Sequence, residues 1–332
     1  MAALEGRTLP TTGIGGLAAT ADAASLAEDL GYESVWISEV NGADAVTTMC
    51  NIAAGTRSIA IATGIMCIYL RDPLLMAMTA NSLVDVAGQR LILGLGTSTQ
   101  VVVERWHGLK WDHPLGKTES YVRLVRQLLA GDRVKEDGLY RLSGAQLTVR
   151  PNGEIPIYLA ALNGKMLRLA GAIGDGVILN FPTLSYTRWA IDHVREGMAE
   201  AGRRDSDVNV TAFLRTTVTD DPASSIPAYR SELLTYVLSP VYRRVFTRDG
   251  YGEVCDAVNE KWAAGDRAGA MAALSDEMVR DHSVIGTEAE CRSQFQAFRD
   301  AGVHNAVVFA MPGGAKDAHE GVLNTVRTLA GV

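Results

Sequence analysis

The chain has 332 residues, of which 47% are hydrophobic and 21% charged, and carries a net charge of −7. That is globular composition with length for one large or two ordinary domains. The acidic balance speaks against nucleic acid, which wants a basic face, and no apolar run is long enough to span a bilayer.

In chain order, apolar residues at helical spacing predict a helix over 17–30, stopped by Gly31, and then a short strand over 34–38. A helix over 44–54 and a β-branched strand over 59–66 follow, then a helix opened by Pro73 and running to Val86. The next strand spans 90–93 and leads into Gly94-Leu95-Gly96-Thr97-Ser98, read as a turn of small residues. Such a turn frees backbone N–H groups to face an anion or a ring edge. A long helix over 115–130 ends at Gly131, and residues 134–150 form a hairpin-like excursion. Strands are predicted at 155–160, 176–180 and 208–217, with helices over 166–173 and 186–201 between them. A mostly helical excursion covers 221–282, and a helix over 288–301, a strand over 306–309 and a helix over 320–330 end the chain.

These strands are short and apolar without polar alternation, as when both faces are buried. Together with a short first strand at Arg7–Leu9 they make eight βα units, which predicts a closed (β/α)8 TIM barrel in one domain over 1–332. The rival is an open doubly wound sheet. In a barrel the chemistry sits at the C-terminal strand ends. That rule selects Glu39, Gly64 to Cys67, Gly96 to Ser98, Ala160 to Asn163, Asn180 and Arg215.

Glu39 at the mouth suits proton transfer or ligand binding, or is a solvated loop residue. His107, after Trp106, suits acid catalysis or carbonyl polarisation, or packs with the tryptophan. No HExxH or other metal spacing occurs, and Cys50, Cys67, Cys255 and Cys291 lie apart without a CxxC pair, so no metal site is expected. No GxSxG elbow supports a covalent nucleophile. The segment 94–99 lacks the third glycine of a dinucleotide fingerprint and the GK[ST] ending of a triphosphate loop. With no signal segment in view, a cytoplasmic protein with reduced thiols is expected. A mouth of small residues and backbone donors, without metal or nucleophile, suits a bound organic cofactor whose ring does the chemistry.

Four motifs in order carry a resemblance. They are Ala27-Glu28-Asp29-Leu30-Gly31-Tyr32 with Ser34-Val35-Trp36-Ile37-Ser38-Glu39; Ala53 to Ile65 followed by Arg71-Asp72-Pro73; Gly88 to Gly96; and Leu167 to Gly171 with Gly174-Asp175-Gly176. They resemble the luciferase-like flavin and deazaflavin oxidoreductases. The segments 101–108 and 157–162 are most similar to the coenzyme F420-dependent branch that contains methylenetetrahydromethanopterin reductase. The resemblance implies a TIM barrel with a helical insertion after strand seven (221–282), a homodimer, and F420 lying across the barrel mouth. It implies hydride transfer to or from a small organic substrate, with FMN and a partner reductase as the alternative.

The implied cofactor-binding residues are Glu39; Gly64, Ile65 and Met66, at a bulge with a non-prolyl cis peptide; and Gly96, Thr97 and Ser98, at the phosphate or tail. Ala160, Ala161, Leu162, Asn163, Val177, Ile178, Leu179 and Asn180 would complete the pocket. Many deazaflavin members carry Asp-His after strand two, where this chain has Glu39-Val40. That departure turns the expectation from alcohol or sugar-phosphate dehydrogenation towards C=N or C=C reduction, with Glu39 as proton donor and His107 second.

Overall fold

Strands of β-branched and small residues form the centre of the molecule because both of their faces are covered. In the computed structural model, which describes the backbone of residues 6–9 and all of residues 16–331, eight such strands run parallel. They are β1 (Gly6–Leu9), β2 (Ser34–Ile37), β3 (Ala60–Thr63), β4 (Leu91–Gly96), β5 (Ile157–Ala160), β6 (Gly176–Asn180), β7 (Asn209–Val218) and β8 (Asn305–Ala310). Each pairs with the next, and β8 pairs with β1 through Val307↔Gly6 and Val308↔Arg7, so the sheet closes into a barrel. The short first strand is therefore the element that completes the ring. An open doubly wound sheet is ruled out.

Residues alternate between two environments. Trp36, Ala62, Ile92, Tyr158, Ile178, Phe213 and Val307 fill the barrel interior, with Ile65, Ala160 and Phe309 against them. Their neighbours Val35, Ile61, Leu93, Leu159, Val177, Leu179, Ala212 and Val308 face outward into the layer of helices. Both faces are dry, which is why the sequence shows no polar alternation.

Helices α1 (Leu17–Asp29), α2 (Ala45–Gly55), α3 (Pro73–Ala87), α4 (Pro114–Ala130), α5 (Gly164–Ile173) and α6 (Leu184–Glu200) follow the first six strands. Asp44 and Asp72 cap α2 and α3 by accepting from the backbone N–H groups of Val46 and Thr47, and of Leu74 and Leu75. After β7 come α7 (Pro222–Val237), α8 (Pro240–Phe246), α9 (Gly252–Ala263), α10 (Arg267–Ala273) and α11 (Asp276–Asp281), filling the predicted helical excursion. A short strand at Val284–Gly286 pairs with the end of β7; the sequence reading missed it. Helices α12 (Glu288–Asp300) and α13 (Ala318–Thr328) complete the shell. The excursion after α4 is a two-stranded antiparallel hairpin over 134–137 and 141–145. No described helix is long and apolar enough to cross a membrane.

Two sequence readings need correction. The predicted strand over 59–66 is interrupted: β3 stops at Thr63, the Gly64–Ile65 peptide is cis, and Met66–Cys67 then rejoins β4. Ala62 pairs with Ile92 and Met66 with Leu95, so three residues of one strand oppose two of the other, which is a bulge. The predicted turn at 94–98 is likewise mostly strand, because β4 continues to Gly96. Gly94 is a point of close approach: its N–H donates to Thr63 Oγ1 at 2.9 Å, and a Cβ there would stand 1.8 Å from the Thr63 carbonyl oxygen.

Glu28, at the end of α1, ties the helix layer to the entry of β3. Its carboxylate accepts from the N–H groups of Arg57, Ser58 and Ile59 and from the Ser58 hydroxyl, at 2.6–3.0 Å. Burial pushes its pKa upward, but these hydrogen bonds outweigh it and bring the group down from 4.5 to about 2. A carboxyl with a depressed folded pKa stabilises the fold above its unfolded value and loses that contribution as pH falls through the folded one. Between pH 4.5 and 2, the melting temperature of Glu28→Gln should therefore fall less than that of the parent chain. Parallel melting curves over that window would refute the clamp.

Candidate active site at the barrel mouth

The C-terminal ends of β3, β4 and β5 make a floor of small residues. A Cβ on Gly96 would stand 3.1 Å from Ala160 Cβ and 3.1 Å from Ile65 Cδ1, and one on Gly64 would stand 2.4 Å from Phe213 Cζ. Trp36 packs edge-on against Phe213 beneath, with ring centroids 5.4 Å apart. Gly64, Ile65, Gly96 and Ala160 thus converge as one flat apolar surface over an aromatic plug, and Ile65 and Ala160 stay partly open at the mouth.

Beside the floor, Thr97 and Ser98 leave β4, with Ser98 at φ 53 and the Thr97 carbonyl held by Trp111 Nε1 at 3.1 Å. Asn163 precedes α5 without capping it by its side chain, so the first N–H groups of that helix keep their capacity to bind an anion. Leu162 and Asn163 are partly exposed there. Met66, Ala161, Val177 and Leu179 lie instead in the packed outer layer, each 0–1% exposed. Ile178 sits in the interior below the rim. Period-two alternation explains this: a continuous run such as Val177–Asn180 cannot present every side chain to the same mouth.

Glu39 stands at the mouth but is fully engaged. Arg71 Nη1 donates to Oε2 at 2.6 Å, Arg71 Nη2 to Oε1 at 3.0 Å, and the Ala45 N–H at the start of α2 to Oε1 at 3.0 Å. The pair is largely shielded, with side-chain exposures of 18% and 13%, and the hydrogen bond to Glu39 raises the Arg71 pKa above its usual value. A two-pronged guanidinium fixes the position and orientation of the carboxylate it grips. The geometry therefore makes Glu39 an anchor of the β2–α2 loop. The partner lay in the sequence as Arg71-Asp72-Pro73, but only folding brings Arg71 to Glu39.

His107 follows the π-helical turn Val101–Trp106 and is exposed; its ring has no hydrogen-bond partner among the described residues. Trp106 is 52% exposed, so the two do not form the packed pair that was the other reading. Nothing here fixes His107 for proton transfer.

The β6–β8 side of the mouth holds a polar cluster that sequence reading largely missed. Arg215 on β7 is 2% exposed and lies between the Phe181 and Phe309 rings, at 3.8 and 4.0 Å from their centroids. Its Nε donates to Glu232 Oε1 at 3.1 Å, its Nη1 to Asn180 Oδ1, and its Nη2 to the Tyr236 hydroxyl at 3.4 Å. Asn180 Nδ2 donates to the Tyr242 hydroxyl at 2.7 Å. Glu232 and Tyr236 come from α7 and Tyr242 from α8, so the insertion folds over this part of the mouth. Phe181 adopts φ 54, a left-handed conformation costing a bulky residue about 1–3 kcal/mol. It places the ring on Arg215 and 4.6 Å from Tyr236. Asn180 and Arg215 were both on the strand-end shortlist; Glu232, Tyr236 and Tyr242 carry no local signal, being ordinary residues of amphipathic helices.

The luciferase-like monooxygenase family matches residues 2–305. The chain is 31% identical over 288 residues to a 5,10-methylenetetrahydromethanopterin reductase of Methanolobus tindarius, covering 86% of this chain and 87% of that protein. It is also 31% identical over 316 residues to a putative coenzyme F420-dependent oxidoreductase of Mycobacterium tuberculosis, covering 87% and 90%. In fold it resembles the coenzyme F420-dependent tetrahydromethanopterin reductase of Methanopyrus kandleri, with a TM-score of 0.80 at 22% identity over 100% of this chain and 98% of that one. The chain therefore belongs to the luciferase-like monooxygenase family.

Proposed function

We propose that this protein is a coenzyme F420-dependent oxidoreductase that passes a hydride between the deazaflavin and a small organic substrate at the barrel mouth. The observation that carries the reading is the convergence of Gly64, Ile65, Gly96 and Ala160 at the strand ends, a closely packed set that carries little side chain towards the mouth. The relatives named for F420 chemistry support it. When bound, the deazaflavin supplies the two-electron chemistry.

The protein's share is binding, orientation and exclusion of water. Gly64, Ile65, Gly96 and Ala160, packed over Phe213 and Trp36, would line the site of the ring. The α5 amides, with Thr97 and Ser98, suit the phosphate of the tail. Glu39, through Arg71 and Ala45, would fix the loop beside the ring. The homodimer implied by the resemblance belongs to the same reading.

Fluorescence titration of the purified chain with F420 and, separately, with FMN tests the proposal. Micromolar binding of F420 and none of FMN is the expected result. FMN bound and F420 refused would make the chain a flavin monooxygenase of the same fold, and binding of neither would overturn the cofactor assignment.

A further inference from the structure

We infer that His282 and Asp249 form a proton-dependent latch between the helical insertion and the barrel, closed while His282 is charged and loosened when it loses its proton.

The insertion meets the barrel at its π-helical turn Thr247–Tyr251, where Gly250 takes φ 96. The turn carries Asp249 to the start of α6, where its side chain is 2% exposed. Thr183, the N-cap of α6, donates from Oγ1 to Asp249 Oδ2 at 3.0 Å, and Arg248 Nη1 donates to Oδ1 at 3.1 Å. Arg248 also lies over the Trp189 ring of α6, 4.4 Å from its centroid.

His282 follows α11, and its side chain is fully buried. Its Nδ1 lies 2.8 Å from the Met278 carbonyl oxygen. Its Nε2 lies 3.7 Å from Asp249 Oδ2 and has no hydrogen-bond partner among the described residues. A neutral imidazole has one N–H and one bare nitrogen, and both neighbours here are acceptors. In either tautomer a lone pair therefore faces an oxygen. Only the imidazolium, with two N–H donors, answers the carbonyl and the carboxylate together. The remaining charged and titratable groups nearby are engaged elsewhere or turned outward. Tyr251, edge-on to the ring at 5.6 Å, gives its hydroxyl to Asp281, Arg248 is held by Asp249, and Arg280 and Asp281 are exposed. With Thr183, Arg280, Asp281 and Ser283, His282 borders a cavity of about 350 Å³, which brings solvent protons close to the ring.

The latch bears on the mouth through Phe246. That ring packs edge-on against His282 at 4.9 Å and lies 6.2 Å from Tyr242, the residue that holds Asn180. The pair contributes where the imidazole is charged, and its contribution is lost as pH rises and Nε2 gives up its proton. Loss of the pair would loosen the face of the mouth that the insertion supplies.

Hydrogen exchange on the chain without added cofactor tests the latch, so its outcome is separate from that of the flavin titration. Amides of α8–α11 are compared with those of the barrel strands at about pH 5 and about pH 8, on either side of the range in which imidazoles change charge, with intrinsic exchange rates divided out. Relative protection of the insertion is expected to fall about tenfold at the higher pH, the worth of one charged hydrogen bond. In Asp249→Asn the fall should vanish, because an asparagine Nδ2 can donate to a neutral Nε2. His282→Gln, uncharged at either pH, should show none as well. Equal protection at both pH values in the parent chain, or the same fall in the parent and in either variant, would overturn the inference. Where one variant does not fold, the other and the parent profile decide.

Discussion

Ala160→Leu is expected to weaken F420 binding at least about 100-fold, or about 2.7 kcal/mol, with little change in stability. Ala160 faces the inside of the barrel at the end of β5, remains partly open, and has its Cβ 3.1 Å from where a Gly96 Cβ would stand. On the proposed reading the added carbons of leucine take space of the ring at the mouth, which Ala160 borders as a partly exposed residue. Fluorescence titration gives the affinity and urea unfolding the stability. Ala160→Ser, which adds one atom, should bind nearly as the parent chain does. Undiminished F420 affinity in the leucine variant would mean that the ring does not lie on this floor.

Arg215→Met should destabilise the protein by about 2–3 kcal/mol, because it leaves the partly buried Glu232 carboxylate without its counter-charge and takes a donor from Asn180 and Tyr236. Glu232 Oε1 has Arg215 as its partner, and its buried Oε2 has none among the described residues. Removing the guanidinium therefore strips that carboxylate and also frees Asn180 and Tyr236. Adding Glu232→Gln to Arg215→Met should recover part of the loss, and the double-mutant cycle in urea measures the coupling. A cost below about 1 kcal/mol for Arg215→Met would show that the cluster is not held by this pair.

The two variants probe opposite sides of one mouth, and they differ in how readable each side was. The floor was legible because small residues at strand ends leave a mark in sequence: Gly64, Gly96 and Ala160 were chosen for that reason, and they converge. The conformation of Gly94–Gly96 was misread because glycine signals a turn and a close strand approach alike, and only the Thr63 carbonyl beside Gly94 distinguishes them. Met66, Val177 and Leu179 carry no such mark, and period-two alternation turns their side chains into the layer under the helices.

The sequence by itself determined the alternation of strands and helices, while the pairing of β8 with β1 that closes the sheet was decided in the tertiary structure. Regular alternation of short apolar strands with capped helices, and a helical excursion of fixed place after the seventh strand, follow from local periodicity and stop signals. Tertiary structure alone decided what the charged and polar groups do. Glu39 meets Arg71 across 32 residues, and Asn180 meets Arg215 across 35 and Tyr242 across 62. Hydrogen bonding depends on distance and direction in space, and separation along the chain fixes neither until the barrel closes.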